Sequence, residues 1–261
     1  MEVVIVPDAD QAAAIVAGII RRVLAERPAP VLGLATGSSP LGVYRRLIEA
    51  CGSGESTAAH ASAVLLDEYV GLPADHPEAY RSFIRREFVD QVDLPAERLF
   101  GPDVAATDLV DACRRYDQLI RDLGGVDVQL LGIGGDGHIG FNEPGSSLAS
   151  RTRIKTLTRT TRADNARFFD DREDDVPRHV VTQGLGTILE ARHLVLIATG
   201  PGKAEPIARA VEGPLAAMCP ASVLQLHPHA TVVVDEPAAG GLQLADYYRE
   251  AYAHKPDWQA L

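Results

Sequence analysis

The sequence predicts an α/β fold, a three-layer sandwich in which a mostly parallel, open sheet is covered by helices on both faces. Two observations carry this. Short apolar runs rich in Val, Ile and Leu alternate with segments whose apolar residues recur at helical spacing, as expected of fully buried strands joined by crossover helices. The chain has 261 residues, 46% of them hydrophobic and 23% charged, which suffices for a full core and lies near the globular average. Long disorder, a fibrous repeat and a disulfide-stapled miniprotein are thereby excluded. Residues 1–261 are expected to form one domain.

The first strand is placed at Val3 to Val6. Behind it Val16, Ile19, Ile20, Val23 and Leu24 recur at helical spacing, with Asp8 or Asp10 available as the cap. A second strand follows at Val31 to Ala35. The next helix carries Leu41, Tyr44, Leu47, Ile48 and Cys51 on one face, with Ser39 as N-cap and Pro40 in the first helical position. Further strands are expected at Ala63 to Leu66, Val128 to Ile133, Leu194 to Ala198 and Thr231 to Val234. Residues 52–60 and 170–178 are polar or small and read as loops.

With 25 basic against 36 acidic residues the formal charge is −11. No run of Lys or Arg interrupts that acidity, so nucleic acid is not expected as a partner. Any anionic ligand must be met by a local basic site. Cys51, Cys113 and Cys219 are too scattered for a CxxC pair and read as buried free thiols. Their odd number, with no N-terminal targeting pattern, leads to the expectation of a cytoplasmic protein. No apolar run reaches the ~18 residues of a membrane span.

Ligands of open parallel sheets gather at the carboxyl ends of the strands, so the chemistry is sought there. After the second strand comes Thr36-Gly37-Ser38-Ser39-Pro40, a small-residue turn feeding a helix, whose free N–H groups and hydroxyls suit an anion. An ordinary capped turn has the same composition, and a Walker A loop would need Gly-Lys-Ser/Thr. The third strand ends in Asp67-Glu68-Tyr69. Adjacent strand residues face opposite ways, so one carboxylate at most enters a given pocket, where it suits removal of a proton beside a carbonyl.

The richest corner runs from Gly132 to Pro144. Gly132, Gly134 and Gly137 match GxGxxG formally, but Asn142, Pro144 and Gly145 interrupt the helix that a dinucleotide fingerprint requires. What remains places Asp136, His138 and Glu143 within eight positions, an acid–imidazole–acid set able to move protons near neutrality. A zinc site is the competing reading, though the spacing is not a helical HExxH. The last corner, Thr199-Gly200-Pro201-Gly202-Lys203, holds one of only three lysines among the 25 basic residues. A compact ammonium suits a phosphate oxygen, and Arg162 and Arg167 offer guanidinium partners. Together the corners point to proton transfer on a phosphorylated sugar.

At these residues the chain resembles the glucosamine-6-phosphate deaminase family. The resemblance rests on Leu34 to Gly42, Asp67 to Leu72, Asp136 to Pro144, Ser146 to Thr156, Val211 to Gly213 and Leu224 to Pro228. It implies a Rossmann-like open sheet with a small lid. It also implies conversion of glucosamine 6-phosphate and water to fructose 6-phosphate and ammonium, with neither a metal nor a nicotinamide cofactor. By position, His138 would open the sugar ring, supported by Asp136 and Glu143, and Asp67 would move a proton between C2 and C1. Thr36, Gly37, Ser38, Ser39, Arg167 and Lys203 would hold the phosphate. The resemblance further implies a homo-oligomer, a hexamer in some members, in which Ser146, Arg153, Lys155 and Thr156 match a site for N-acetylglucosamine 6-phosphate. Two departures stand out: Gly135 replaces a common Asn, and Ala216 to Pro220 replaces a stretch in the mobile lid that usually holds an aromatic residue. The rival readings are a phosphosugar lactonase, similar to 6-phosphogluconolactonase, and a non-catalytic sugar-phosphate sensor.

Overall fold

The structure is a computed structural model that describes residues 1–256, 258, 259 and 261. Its strands are β1 (Glu2–Val6), β2 (Val31–Leu34), β3 (Ser62–Leu65), β4 (Asp67–Tyr69), β5 (Leu99–Phe100), β6 (Val128–Leu131), β7 (Arg153–Thr156), β8 (His179–Thr182), β9 (His193–Ala198) and β10 (Ala230–Asp235). The helices are α1 (Ala9–Glu26), α2 (Leu41–Gly52), α3 (Tyr80–Glu87), α4 (Leu109–Asp122), α5 (Arg159–Asn165), α6 (Leu185–Ile188), α7 (Ala204–Val211), α8 (Glu236–Ala239) and α9 (Ala245–Ala253).

The seven-stranded sheet has the order β1-β10-β9-β6-β2-β3-β5, and every neighbouring pair is parallel. All six residues of β9 and all six of β10 are buried. Their Val, Leu and Ile side chains need cover on both faces, and the crossover helices supply it. The register sets Val3 beside Val232 and Val233 beside Ile197. Between β2 and β6 the chain order reverses: β3 and β5 extend to one side, β9, β10 and β1 to the other. Close passage there requires Gly33, because a β-carbon would overlap the buried Gln129 side chain.

The strands expected from the sequence form this sheet, with ends that differ by one or two residues. Asp8, not Asp10, caps α1, accepting the Gln11 N–H at 2.8 Å, while Asp10 pairs with Arg46. Ser39 does not cap α2. Pro40 already has helical φ and ψ (−77°, −12°), and its carbonyl accepts from Tyr44 N at 3.0 Å, so helical bonding starts one residue later than expected. Ser39 is left to face the strand ends. Cys113 and Cys219 are buried free thiols, whereas Cys51 is half-buried.

A second sheet, in the order β4-β8-β7, is antiparallel and pairs Asp67 with Thr182 and Lys155 with Val180. The sequence did not predict it. Its strands are three or four residues long, too short for alternation to register. Under it Tyr69, Phe141, Leu157, Ala166, Phe169, Val176 and Val180 form a small separate core, roofed by α5. Residues 170–178 are a loop with a single 3-10 turn at Glu173–Asp175. Among the described residues no helix is long and apolar enough to cross a membrane.

Candidate active site

The carboxyl ends of β2, β3, β6 and β9 open into a cavity of about 350 Å³. Thr36, Gly37, Ser38, Ser39, Asp67, His138, Arg167 and Lys203 all line it. The sheet's switch point brings together four corners that lie far apart in sequence.

Two neighbouring carboxylates take opposite directions, as strand geometry requires. Asp67 faces the cavity. Glu68 turns away and accepts the Tyr69, Tyr80 and Arg81 N–H groups, each at 2.9 Å, fastening the start of α3. Asp67 is 5% exposed. Burial pushes its carboxyl up to about 8, the Glu68 charge adds to the rise, and the Phe141 N–H opposes it. Aromatic rings enforce the burial: Tyr80 stacks on Phe141, and Tyr69 meets Phe169 edge to face.

The glycine loop after β6 folds back on itself. Asp136 Oδ1 accepts the His138 main-chain N–H at 3.1 Å and lies 2.6 Å from His138 Nδ1. The hydrogen bond from the imidazole holds the Asp136 carboxyl below the usual carboxylate range. This contact engages Nδ1 of the ring, so Nε2 is the nitrogen that does not belong to the pair. The ring lies over Gly134, where a β-carbon would overlap it. Beside Gly135 there is open space.

Glu143 is buried and stands apart from the His138–Asp136 pair. Its carboxylate accepts from the hydroxyls of Thr161 and Thr158 and, at 3.5 Å, from the Thr158 main-chain N–H, all at the start of α5. Lys203 Nζ donates to Ile133 O at 2.6 Å, and burial, then the nearby Arg167 charge, pulls its ammonium below the usual lysine range. The Arg167 guanidinium lies over the Phe168 ring, 4.7 Å from its centre. Arg162 does not reach the cavity. It is buried and donates to Val176 O and Glu173 O, because the loop beyond α5 wraps around it.

Ser146, Arg153, Lys155 and Thr156 lie outside the cavity. Ser146 is buried, and its hydroxyl has no partner among the described residues. Arg153 donates to Asn142 Oδ1 at 2.8 Å, and Thr156 Oγ1 is 3.3 Å from His179 Nδ1. Nor does the Ala216 to Pro220 stretch cover the cavity. It packs beneath the glycine loop, where a β-carbon at Gly137 (φ +91°) would sit 2.8 Å from Cys219 Sγ. The cover comes from α5 and the residues after it, through Thr161, Asn165, Arg167 and Phe169.

Sequence reasoning passed over the residues that brace the site. Asn142 donates to Ile139 O and Gln183 O at 2.9 and 2.8 Å, and Gln183 donates to Leu65 O at 2.8 Å. These fully buried amides join the acid/base loop to the strand leading into Asp67. Asn142 lies within the Asp136 to Pro144 loop and could have been found there; no local signal marks Gln183.

The model of the family described as glucosamine-6-phosphate isomerases/6-phosphogluconolactonase matches residues 8–234. The chain is 60% identical to a glucosamine-6-phosphate deaminase of Streptomyces coelicolor and 62% identical to one of Beutenbergia cavernae, with all of both chains covered in each case. A solved structure of a monomeric glucosamine-6-phosphate deaminase is similar at a TM-score of 0.89 and 41% identity, covering 92% of this chain and all of the other. A 6-phosphogluconolactonase from Trypanosoma brucei shares the fold, with a TM-score of 0.75 at 19% identity over 92% of this chain and 98% of the other. With one parallel sheet covered by helices, a shared cavity at its switch point and this degree of identity over the full chain, the chain belongs to the glucosamine-6-phosphate deaminase family.

Proposed function

We propose that the cavity converts glucosamine 6-phosphate and water to fructose 6-phosphate and ammonium by an aldose–ketose isomerisation coupled to deamination. The observation that carries this reading is the meeting, in one cavity, of a buried carboxylate, an oriented imidazole and a group of anion-seeking residues. His138, held by Asp136, takes the proton of the C1 hydroxyl and returns one to the ring oxygen, which opens the sugar. Glu143 supports that step from the flank. Asp67 then removes the C2 proton and delivers it to C1, while the C1 oxygen takes up a proton and the C2 amine gives one up, which leaves a C1 hydroxyl and an imine at C2. Water adds to this imine, and ammonia departs and takes up a proton. Burial favours such a base: a carboxylate raised toward 8 is a stronger proton acceptor than one in water.

The phosphate is assigned to the Thr36–Ser39 turn, Arg167 and Lys203. The turn's three hydroxyls and the two cations belong to residues that line the one cavity, and the turn leads into the N-terminus of α2. Residues 1–261 act as one unit in this reading, in a cytoplasmic compartment that keeps the three thiols reduced. Ser146, Arg153, Lys155 and Thr156 are proposed as an effector-phosphate site; a substrate curve that stays hyperbolic and unmoved by N-acetylglucosamine 6-phosphate would refute it. The homo-oligomer is proposed on the exposed side chains of Leu215, Met218 and Leu226. A one-chain mass in sedimentation, matching the monomeric relative, would refute that in turn.

The function is tested by following both products from glucosamine 6-phosphate in metal-free buffer. Equal release of fructose 6-phosphate and ammonium is expected. Binding of the phosphosugar without turnover would favour the sensor reading.

A further inference from the structure

The short helix α5 touches the site at both ends. At its start, Thr158 caps the helix by accepting from Thr161 N at 3.2 Å, and the two hydroxyls lie 2.9 Å apart. Thr161 Oγ1 donates onward to Glu143 Oε1 between two buried side chains. At its last residue, Asn165 Nδ2 donates to Tyr69 Oη at 3.1 Å, two positions after Asp67 on β4. Residues 158, 161 and 165 are spaced i, i+3 and i+7, so they share one helix face. Arg167 follows two residues later and lines the cavity.

We propose that Thr161 is a positioning residue for Glu143 in the ring-opening step. The proposal rests on the deaminase reading of the cavity. Its ground is the source of the hydrogen bonds on Glu143. None of the side-chain bonds to Glu143 among the described residues comes from its own loop; both hydroxyl donors belong to the cap and first turn of α5. Thr158 is exposed and its contact with Glu143 is long, at 3.3 Å, which leaves Thr161 as the principal holder. The Glu143 carboxylate is therefore only as well placed as α5 is, and α5 is the element that delivers Arg167.

The test is a double-substitution cycle between Thr161→Val and Glu143→Gln. Valine keeps the branched shape and removes the donor. Three quantities are read: kcat and KM for product release, the inhibition constant of inorganic phosphate, and the melting midpoint. Thr161→Val is expected to lower kcat about tenfold or more, the effect of losing a hydrogen bond to a charged group. The phosphate inhibition constant should stay within about twofold, and in the Glu143→Gln background the same change should alter kcat by less than about twofold, because coupled sites are not additive. Thr161→Ser should restore turnover. If Thr161→Val melts without cooperativity, Thr161→Ala takes its place in the cycle. Equal losses in both backgrounds would overturn the proposal, and so would a rise in KM and in the phosphate inhibition constant at unchanged kcat. Wild-type protein without turnover would remove the functional reading and this inference together, whereas wild-type turnover with additive variants would remove the inference alone.

Discussion

The core beneath the seven-stranded sheet is built mainly from Val, Ile, Leu and Ala, whereas the core beneath the three-stranded sheet is centred on Tyr69, Phe141 and Phe169. The larger one holds the strand ends from which the Thr36–Ser39 turn, the His138 loop and the Lys203 turn project. The smaller one shuts water away from Asp67. Aliphatic packing fixes where the cavity's polar side chains stand, and aromatic packing sets the polarity around Asp67. Interlocked β-branched side chains resist displacement; aromatic rings lower the local polarity at the cost of a charged form.

Asp67→Asn should have the largest effect, because it removes a group that both regions serve. A fall in kcat of about 10²- to 10⁴-fold is expected, measured as release of both products. Stability should move the other way. The folded-state value of Asp67, about 8, lies above its ordinary 3.8, so its stabilising share is complete below pH 4 and is lost as pH rises through 8. The asparagine variant should therefore gain in melting midpoint over wild type between pH 5 and pH 8.5. A midpoint difference that shrinks with pH would contradict the burial argument.

Leu196→Ala, in the middle of β9, addresses the larger core alone. It should cost about 2–5 kcal/mol in denaturant unfolding while leaving kcat of the folded fraction near wild type. In wild type, kcat/KM should rise with pH toward a plateau above about 8, since the base acts as its carboxylate. A rise centred near pH 4 would mean that the aromatic wall does not desolvate Asp67. Phe169→Leu, in the smaller core, should have the mildest effect: a stability loss below about 1.5 kcal/mol, with the midpoint of that rise shifted to lower pH as water reaches the carboxylate. A large loss of stability with an unmoved pH profile would erase the distinction between the two cores.

Much of the larger region was legible in the sequence, because unbroken apolar runs and glycine turns are strong local signals. The residues at its strand ends were found for the same reason: Asp67, His138 and Lys203 each lie a short way past the end of β3, β6 or β9. The smaller region was not legible. β7 and β8 are stabilised by each other and by β4, contacts that no window of four residues reveals. Arg162 looked like a phosphate ligand, but the conformation of the loop after α5 decides where its guanidinium goes. Ser39 looked like a cap because its side chain is right for one; the backbone of Pro40 overrides that preference.

The pairing of β1 with β10 bears on how the molecule is made. Glu2 finds its neighbour at Thr231, so β1 pairs with a strand that is made much later in synthesis. At about 5–20 residues per second, β1 waits on the order of 10–50 s for that partner. Through that interval Val3, Val4 and Ile5 form an apolar edge without a mate. Until β10 is made, β1 stays open to chaperones, and that side of the sheet cannot be completed.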